Sequence, residues 1–378
     1  MNLVFWFLLL SALGYCCLFV AAGFIWSGWK PITSKTPEQS GISIAVVAAF
    51  RNEEAHLPAL LNWWKNLNTK GFRVEFLLAD DHSSDASVGL IRSFQQAHPE
   101  FPLRLIRQES GKNGKKEALS AAISSSNVEL CLLTDADCHG GPDWLQLMAS
   151  TLIQSDMKLV SGPVSLEQGS SFLRRFQSLE HAGLVAFGAV SIHIGRPTMC
   201  NGASLIFYRN IWHELGGYEA HGHLPGGDDE LFMRAVNQAC PGSVGFCKLP
   251  EAIVTTAAAP NLRAFFMQRL RWASKGSMQG ISVRIFRGLL VLWYALLLYS
   301  LPLLFFAEAP TVAVITGTWV LKFFGEWYYF RRITPFFGIR ARFVEICSFQ
   351  GFQIAYPVLI ALARLFRLRF HWKERHYR

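Results

Sequence analysis

Charge is scarce in this chain: Asp, Glu, Lys and Arg make up 17% of the 378 residues, against 51% hydrophobic, and the mean hydropathy is positive. That balance is high for a soluble protein and predicts that part of the chain lies in a bilayer. Local absences say where. Leu3 to Trp26 contains no charged residue, and no Lys or Arg precedes it. Such a run can cross a hydrocarbon core of about 30 Å at about 1.5 Å per residue. Lacking a basic n-region, it reads as a retained anchor in preference to a cleaved signal peptide. Lys30 and Lys35 follow it and predict a cytoplasmic C-terminal end. Acid is missing altogether between Glu251 and Glu308, where Arg263, Arg269, Arg271, Lys275, Arg284 and Arg287 fall. Basic residues beside apolar segments are expected from topology and from attraction to anionic lipid, so the net charge of +9 is no argument for a nucleic-acid partner. The eight cysteines lack metal-ligand spacing, and Cys16 and Cys17 lie inside the anchor; they read as reduced structural thiols.

What is present divides the chain into an anchor (residues 1–30), a polar linker from Pro31 to Gly41, and a globular region over 42–259. An amphipathic interface segment follows (260–287), then a C-terminal membrane region and basic tail (288–378). The globular region opens with an apolar run of strand length, Ile42 to Ala49, and a helical pattern through Leu57, Leu60, Leu61 and Trp64. Further strands are expected at Val74–Ala79, Leu103–Arg107 and Glu129–Thr134, with helices at Val88–Ala97 and around Lys116–Ser124. Strands alternating with helices imply a mostly parallel α/β sheet, with ligands at the strands' C-terminal ends. In the membrane region, Gly288–Ala307 and Ala309–Trp327 read as spans, with Lys322 and Glu326 spaced to pair on one helix face. Phe343–Ala363 carries Glu345, Gln350, Gln353 and Pro357 and reads as interfacial or re-entrant.

Polar residues gather at the expected strand ends. Asp135-Ala136-Asp137 closes the last apolar run, and two carboxylates one residue apart can hold a divalent cation against a diphosphate. The triplet alone is weak, because surface loops often produce it. Before it come Arg51-Asn52-Glu53-Glu54, Asp80-Asp81-His82-Ser83-Ser84-Asp85 and Gly111-Lys112-Asn113-Gly114-Lys115. After it come Cys200-Asn201-Gly202, Leu215-Gly216-Gly217-Tyr218, Gly226-Gly227-Asp228-Asp229-Glu230-Leu231 and Gln268-Arg269-Leu270-Arg271-Trp272. Singly, each has a bland reading: turns and helix caps for the Asp and Ser clusters, a solvated lysine, an acidic helix start at Asp228, a membrane-surface helix at Gln268.

In this order, the motifs resemble the membrane-bound members of glycosyltransferase family 2, over roughly residues 42 to 275, with a looser match in the hydrophobic tail. The resemblance implies a GT-A fold, Rossmann-like with a mostly parallel sheet, carrying N-terminal and C-terminal transmembrane helices. It implies donor contacts from Glu53, Asp80, Asp81, Lys115, Asp135, Gln268 and Arg271, and Mg2+ or Mn2+ held by Asp137 with Asp135. Acceptor contacts fall to Gly202 and Trp272. The base is Asp228, aligned through Leu231, with Asp229 as fallback. His82 stands where the family has glycine, which puts the backbone conformation there in question. The Gln-x-x-Arg-Trp segment is similar to that of membrane-bound synthases and of ceramide glucosyltransferase.

These features predict an inverting, metal-dependent transferase moving a sugar from a nucleotide-sugar, with UDP the family's commonest carrier, to a membrane lipid or lipid-linked acceptor. The expected setting is a bacterial inner membrane with the catalytic domain cytoplasmic. A processive polysaccharide synthase is the alternative within the class, disfavoured because few spans leave little wall for a channel. A non-catalytic nucleotide-binding assembly subunit is the alternative outside it, and the intact carboxylates argue against it. A transporter is weaker still, since the apolar segments show no internal repeat.

Overall fold

The structure, a computed structural model, describes residues 3–32, 41–108, 114–218, 228–274, 281–366, 370–372 and 375–377. The chain divides into two units, one of residues 30–167 and 181–257, the other of residues 1–29, 168–180 and 258–378.

The first unit is built on a seven-stranded sheet. Strands β1 (Ser43–Phe50), β2 (Arg73–Asp80), β3 (Leu103–Arg107) and β4 (Leu130–Leu133) lie parallel in the order β3-β2-β1-β4. All but the first residue of β1 are buried, so it is a continuous apolar run with no in-out alternation, as a parallel strand covered on both faces requires. Between the strands run α2 (Leu57–Lys65), α3 (Ser87–Ala97) and α4 (Lys115–Ser124). The expected stripe of α2 is observed: Leu57, Leu60, Leu61 and Trp64 are buried, and Pro58 sits in its first turn, where a missing N–H costs nothing.

Beyond β4 the topology changes. Strand β5 (Cys138–Gly140) leads to α5 (Trp144–Gln154), then to the short strands β6 (Leu159–Ser161) and β7 (Val164–Leu166). Helix α6 (Phe172–His193) runs from one unit into the other. Strand β8 (Leu205–Tyr208) enters the large sheet antiparallel, between β4 and β6, and α7 (Arg209–Glu214) and α8 (Asp228–Ala239) follow. Strand β9 (Val244–Phe246) completes that sheet beside β6. Strand β10 (Val254–Thr256) joins a second sheet ordered β5-β10-β7. Trp63, Trp64, Phe76, Trp144, Met148 and Ile206 contribute to one core of this unit.

In the other unit, α1 (Leu3–Gly28), α10 (Ile281–Leu303), α11 (Ala309–Ile333) and α12 (Phe343–Leu365) pack together, with α9 (Leu262–Ser274) against α12. The hairpin of β11 (Phe370–Trp372) and β12 (Arg375–Tyr377) follows. Among the described residues, three helices are long and apolar enough to cross a membrane: Val4–Gly28, Arg284–Leu303 and Phe343–Leu365. This distribution differs from the sequence expectation. The segment read as interfacial or re-entrant is an unbroken helix of 23 residues despite Pro357, and α11, read as a span carrying the Lys322 and Glu326 pair, falls outside these three.

The reason lies inside the bundle. Lys322 and Glu326 pair at 2.8 Å as their spacing predicts, and both side chains are fully buried. Gln350 of α12 accepts from Lys322 at 2.7 Å and donates to Glu326 at 2.7 Å, Gln353 donates at 3.1 Å, and the Tyr15 hydroxyl of α1 donates at 2.5 Å. Paired charges turned inward are the form in which ionisable residues are tolerated among membrane helices. Close packing accompanies them: a Cβ on Gly325 would come within 2.8 Å of the Cys16 backbone, so only glycine lets α11 approach α1 there.

Candidate active site

The loops after β1 and β2 are stitched to each other by side chains. The Asn52 amide donates to Ser83 Oγ at 3.0 Å, and Asn52 Oδ1 accepts from the Ser84 amide at 2.8 Å. The Glu53 amide donates to Ser87 Oγ at 2.9 Å, the Glu54 amide to Asp85 at 3.1 Å, and Glu54 accepts from the Ala86 amide at 2.9 Å. Burial alone would push the Asp85 carboxyl up, but the hydrogen bonds from Ser87 and from the Glu54 amide outweigh it and hold the group below its ordinary range. His82, the departure from the family pattern, adopts φ 57°, and Asn52 φ 52°. The backbone is therefore the left-handed one that a glycine would take freely, and histidine carries the strain.

Asp80 and Asp81 are 7% and 6% exposed at the end of β2. Asp80 accepts from the Ser83 amide at 2.8 Å, a turn cap. Asp81 accepts from the Gly114 amide at 2.8 Å, which ties the strand end to the start of α4. Gly111-Lys112-Asn113 lies outside the described residues. Lys115, the first residue of α4, is ion-paired with Asp135.

Asp135 and Asp137 stand between β4 and β5. Oxygens of both and Sγ of Cys138 lie within 4.8 Å of one another. Asp137 is exposed and accepts from the Thr256 hydroxyl at 3.2 Å, because β10 pairs with β5 in the register Thr256 to Cys138. Desolvation by the surrounding protein, then repulsion from Asp135 and Glu53, raise the Asp137 carboxyl above its ordinary range, with Lys115 opposing. Since Asp137 is exposed to water, the repulsion is the more secure cause. For Lys115, partial burial would lower the ammonium's pKa, but the charges of Asp135, Asp229 and Asp137 raise it above its ordinary value. Two carboxylate ligands and a neighbouring hydroxyl form a hard oxygen donor set of the kind that suits Mg2+ or Mn2+.

Ahead of β8, the Gly202 amide donates to Asp229 Oδ2 at 2.9 Å, and Asp229 Oδ1 accepts from the Glu230 amide at 3.0 Å. Ser204, fully buried, accepts from the Trp144 indole at 2.9 Å and fixes the approach to β8. Gly216 and Gly217 take φ 75° and 55° after α7, and a Cβ on Gly217 would strike the Trp212 ring at 2.5 Å. Packing against Trp212 thus explains the Gly-Gly turn. Asp228 is the first residue of α8, but its side chain lies outside what is described, as do Gly226 and Gly227.

Of the residues singled out in the sequence, Glu53, Lys115, Asp135, Asp137, Asp229 and Gly202 thus form one set linked by hydrogen bonds or charge, with Asp81 joined to it through the start of α4 and Asp80 capping the Ser83 turn beside it. Gln268, Arg271 and Trp272 belong to α9, in the other unit. Sequence reasoning missed Thr256, which lies in a strand of three residues with no periodicity to read. It also missed Arg269, whose side chain is 5% exposed and paired with Glu180. A cation on the apolar side of an amphipathic helix was the available signal.

The fold and the strand-end carboxylates together define a GT-A-like glycosyltransferase domain. The model of glycosyl transferase family 21 matches residues 10–378, and the chain belongs to that family. The resemblance to family 2 agrees with this in fold and enzyme class. The chain is 30% identical over 112 residues to a dolichyl-phosphate beta-glucosyltransferase of Dictyostelium discoideum, covering 28% of this chain and 34% of that one. It is 26% identical over 236 residues to a beta-monoglucosyldiacylglycerol synthase of Synechocystis sp., covering 62% and 47%. The chain thus spans about a third to a half of the length of these two relatives. Among solved structures, the mannosyltransferase PcManGT of Pyrobaculum calidifontis, in complex with GDP-Man and Mn2+, aligns with a TM-score of 0.58 at 15% identity, over 96% of this chain and 97% of that one. That is a likeness of fold.

Proposed function

We propose that this protein is an inverting, metal-dependent glycosyltransferase that moves a sugar from a nucleotide-sugar, UDP-linked by preference, to a hydroxyl of a membrane lipid or lipid-linked acceptor. The observation that carries the reading is the convergence of Glu53, Lys115, Asp135, Asp137 and Asp229 from separate elements at the strand ends. Asp137, with Asp135, would hold the Mg2+ or Mn2+; the ion's chemistry is to neutralise charge that develops on the leaving diphosphate. Lys115 adds a second positive charge for that diphosphate, and Asp80 and Asp81 accept hydrogen bonds from the base or ribose. Asp228 removes the proton from the acceptor hydroxyl as its oxygen attacks the anomeric carbon opposite the diphosphate, which inverts the configuration. Asp229 fixes the Gly202 loop through its backbone bond and is the alternative base. Gln268 and Arg271 are assigned to the donor, and Trp272 to the acceptor.

The lipid acceptor is supported by the three membrane-length helices and by the names of the two relatives. A cytoplasmic catalytic domain follows from the basic residues after the anchor. A polysaccharide channel is disfavoured, because the middle of the bundle is filled by Tyr15, Lys322, Glu326 and Gln350. The test incubates purified protein with labelled nucleotide-sugars, Mn2+ and a total membrane-lipid extract, and weighs the product. Lipid-dependent nucleotide release that disappears in Asp137→Ala is expected. Donor binding with neither hydrolysis nor transfer would make the chain an assembly subunit. Asp228→Asn should lose transfer while retaining donor affinity.

A further inference from the structure

The Gln268 to Trp272 segment is organised around a residue that its motif leaves unspecified. The Arg269 guanidinium lies 4.6 Å from the centre of the Phe265 ring and 4.1 Å from that of Trp272, so both aromatic rings are within cation–π reach. Its Nη1 donates to Gln268 Oε1 at 2.7 Å, and its Nη2 donates to Glu180 of α6. Glu180 in turn accepts from the Tyr356 hydroxyl of α12. Arg269 and Glu180 side chains are 5% and 10% exposed, so water competes little for either charge. One guanidinium therefore meets both ends of the motif, and one carboxylate fastens it to two further helices.

The surroundings reinforce this arrangement. Tyr356 stands edge-on to Phe265 at 5.3 Å and to Phe176 at 6.0 Å, which closes the apolar side of the pair. Glu180 and Gln353 line a small cavity with Phe176, Leu179, Phe330, Ile346 and Phe349. Gln353 also donates to Glu326. The motif helix is thus tied by polar contacts to α6 and α12.

We propose that Arg269 is a positioning residue for transfer: held by Glu180 and Tyr356, it sets the side-chain geometry of Gln268 and Trp272. This rests on the glycosyltransfer reading above, and it deepens that reading by adding Arg269, Glu180 and Tyr356 to the residues the reaction depends on. A guanidinium is required because it can pair with a carboxylate at its edge and stack its planar face on two rings at once; an ammonium has no such face.

The test uses the full chain in lipid nanodiscs with three variants. Arg269→Lys keeps the charge and loses the planar stacking; kcat for transfer should fall about 10-fold or more, and the donor Kd should rise as well, because Gln268 loses its Arg269 partner. Glu180→Gln alone strands a buried cation and should lower Tm. Combining Glu180→Gln with Arg269→Gln removes both charges and should restore Tm without restoring kcat. A residue needed only for folding would regain activity with stability, so recovery of both overturns the proposal, as does an Arg269→Lys variant with wild-type kcat. Hydrogen exchange provides a reading independent of turnover: amide protection over residues 266–274 should drop in Arg269→Lys and stay unchanged in α10. If wild-type protein transfers no sugar, the functional reading fails by itself, and unchanged protection in α9 would overturn the positioning role.

Discussion

Asp137 carries competing demands. It is crowded by Asp135 and Glu53, and among the described residues its neutral side-chain partners are the Thr256 hydroxyl and, at 3.8 Å, the Cys138 thiol. A charge held against like charges favours a cation and disfavours the empty fold. Asp137→Asn should therefore abolish transfer, by about 100-fold or more, while leaving the metal-free Tm unchanged or higher. A Tm rise of about 2 °C or more on adding Mn2+ to wild type should vanish in the variant, as thermal-shift measurements with and without metal will show. His82 offers the opposite case. Its φ of 57° is strained for any residue with a Cβ, and His82→Gly should stabilise the domain by up to about 1 kcal/mol in denaturant titration.

At the scale of elements, the loop pair after β1 and β2 is held by ionised Asp85. Its carboxyl is depressed in the folded state, so its contribution is complete above the ordinary value of 3.8 and is lost as pH falls through the lower folded value. Asp85→Asn should flatten the acid limb of the stability profile below about pH 4. Helix α11 makes a sharper prediction. Lys322→Met leaves Glu326 charged among buried neighbours and should cost about 3 kcal/mol or more, whereas Lys322→Met with Glu326→Gln should cost less. Unfolding in detergent compares the two.

The same elements show what the sequence made legible. Strand β3 has the expected bounds and β1, β2 and β4 differ by one residue at either end, because long apolar runs flanked by polar turns leave little freedom. The strands after β4 have three or four residues each and carry no period to count. Antiparallel β8 was legible as a motif but not in its direction. Spacing also announced the Lys322–Glu326 pair, yet gave no sign that Gln350, Gln353 and Tyr15 would enclose it, since those come from other helices. For the same reason Asp135 and Asp137 could be found from sequence while their contacts with Lys115 and Thr256 could not.

On the scale of the whole molecule, apolar side chains face outward in the helical unit: Phe305 is 83% exposed, Phe306 87% and Phe366 73%. Surfaces of this kind mark a face that meets lipid or another protein, and on the membrane reading proposed above it meets lipid. Membranes washed with alkaline carbonate should retain the full chain in the pellet, and release into the wash would contradict a spanning arrangement. One local contact then bears on the order of events during turnover. Lys115 is paired with Asp135 in the resting protein, so a cation that takes Asp135 leaves more of the Lys115 charge for a diphosphate. Donor and ion arriving together exchange that partner in a single event, whereas donor alone must first break it. The expected kinetic signature is rapid productive loading when donor and cation are premixed or the cation is added first, and a slow onset when donor is added to the enzyme ahead of the cation.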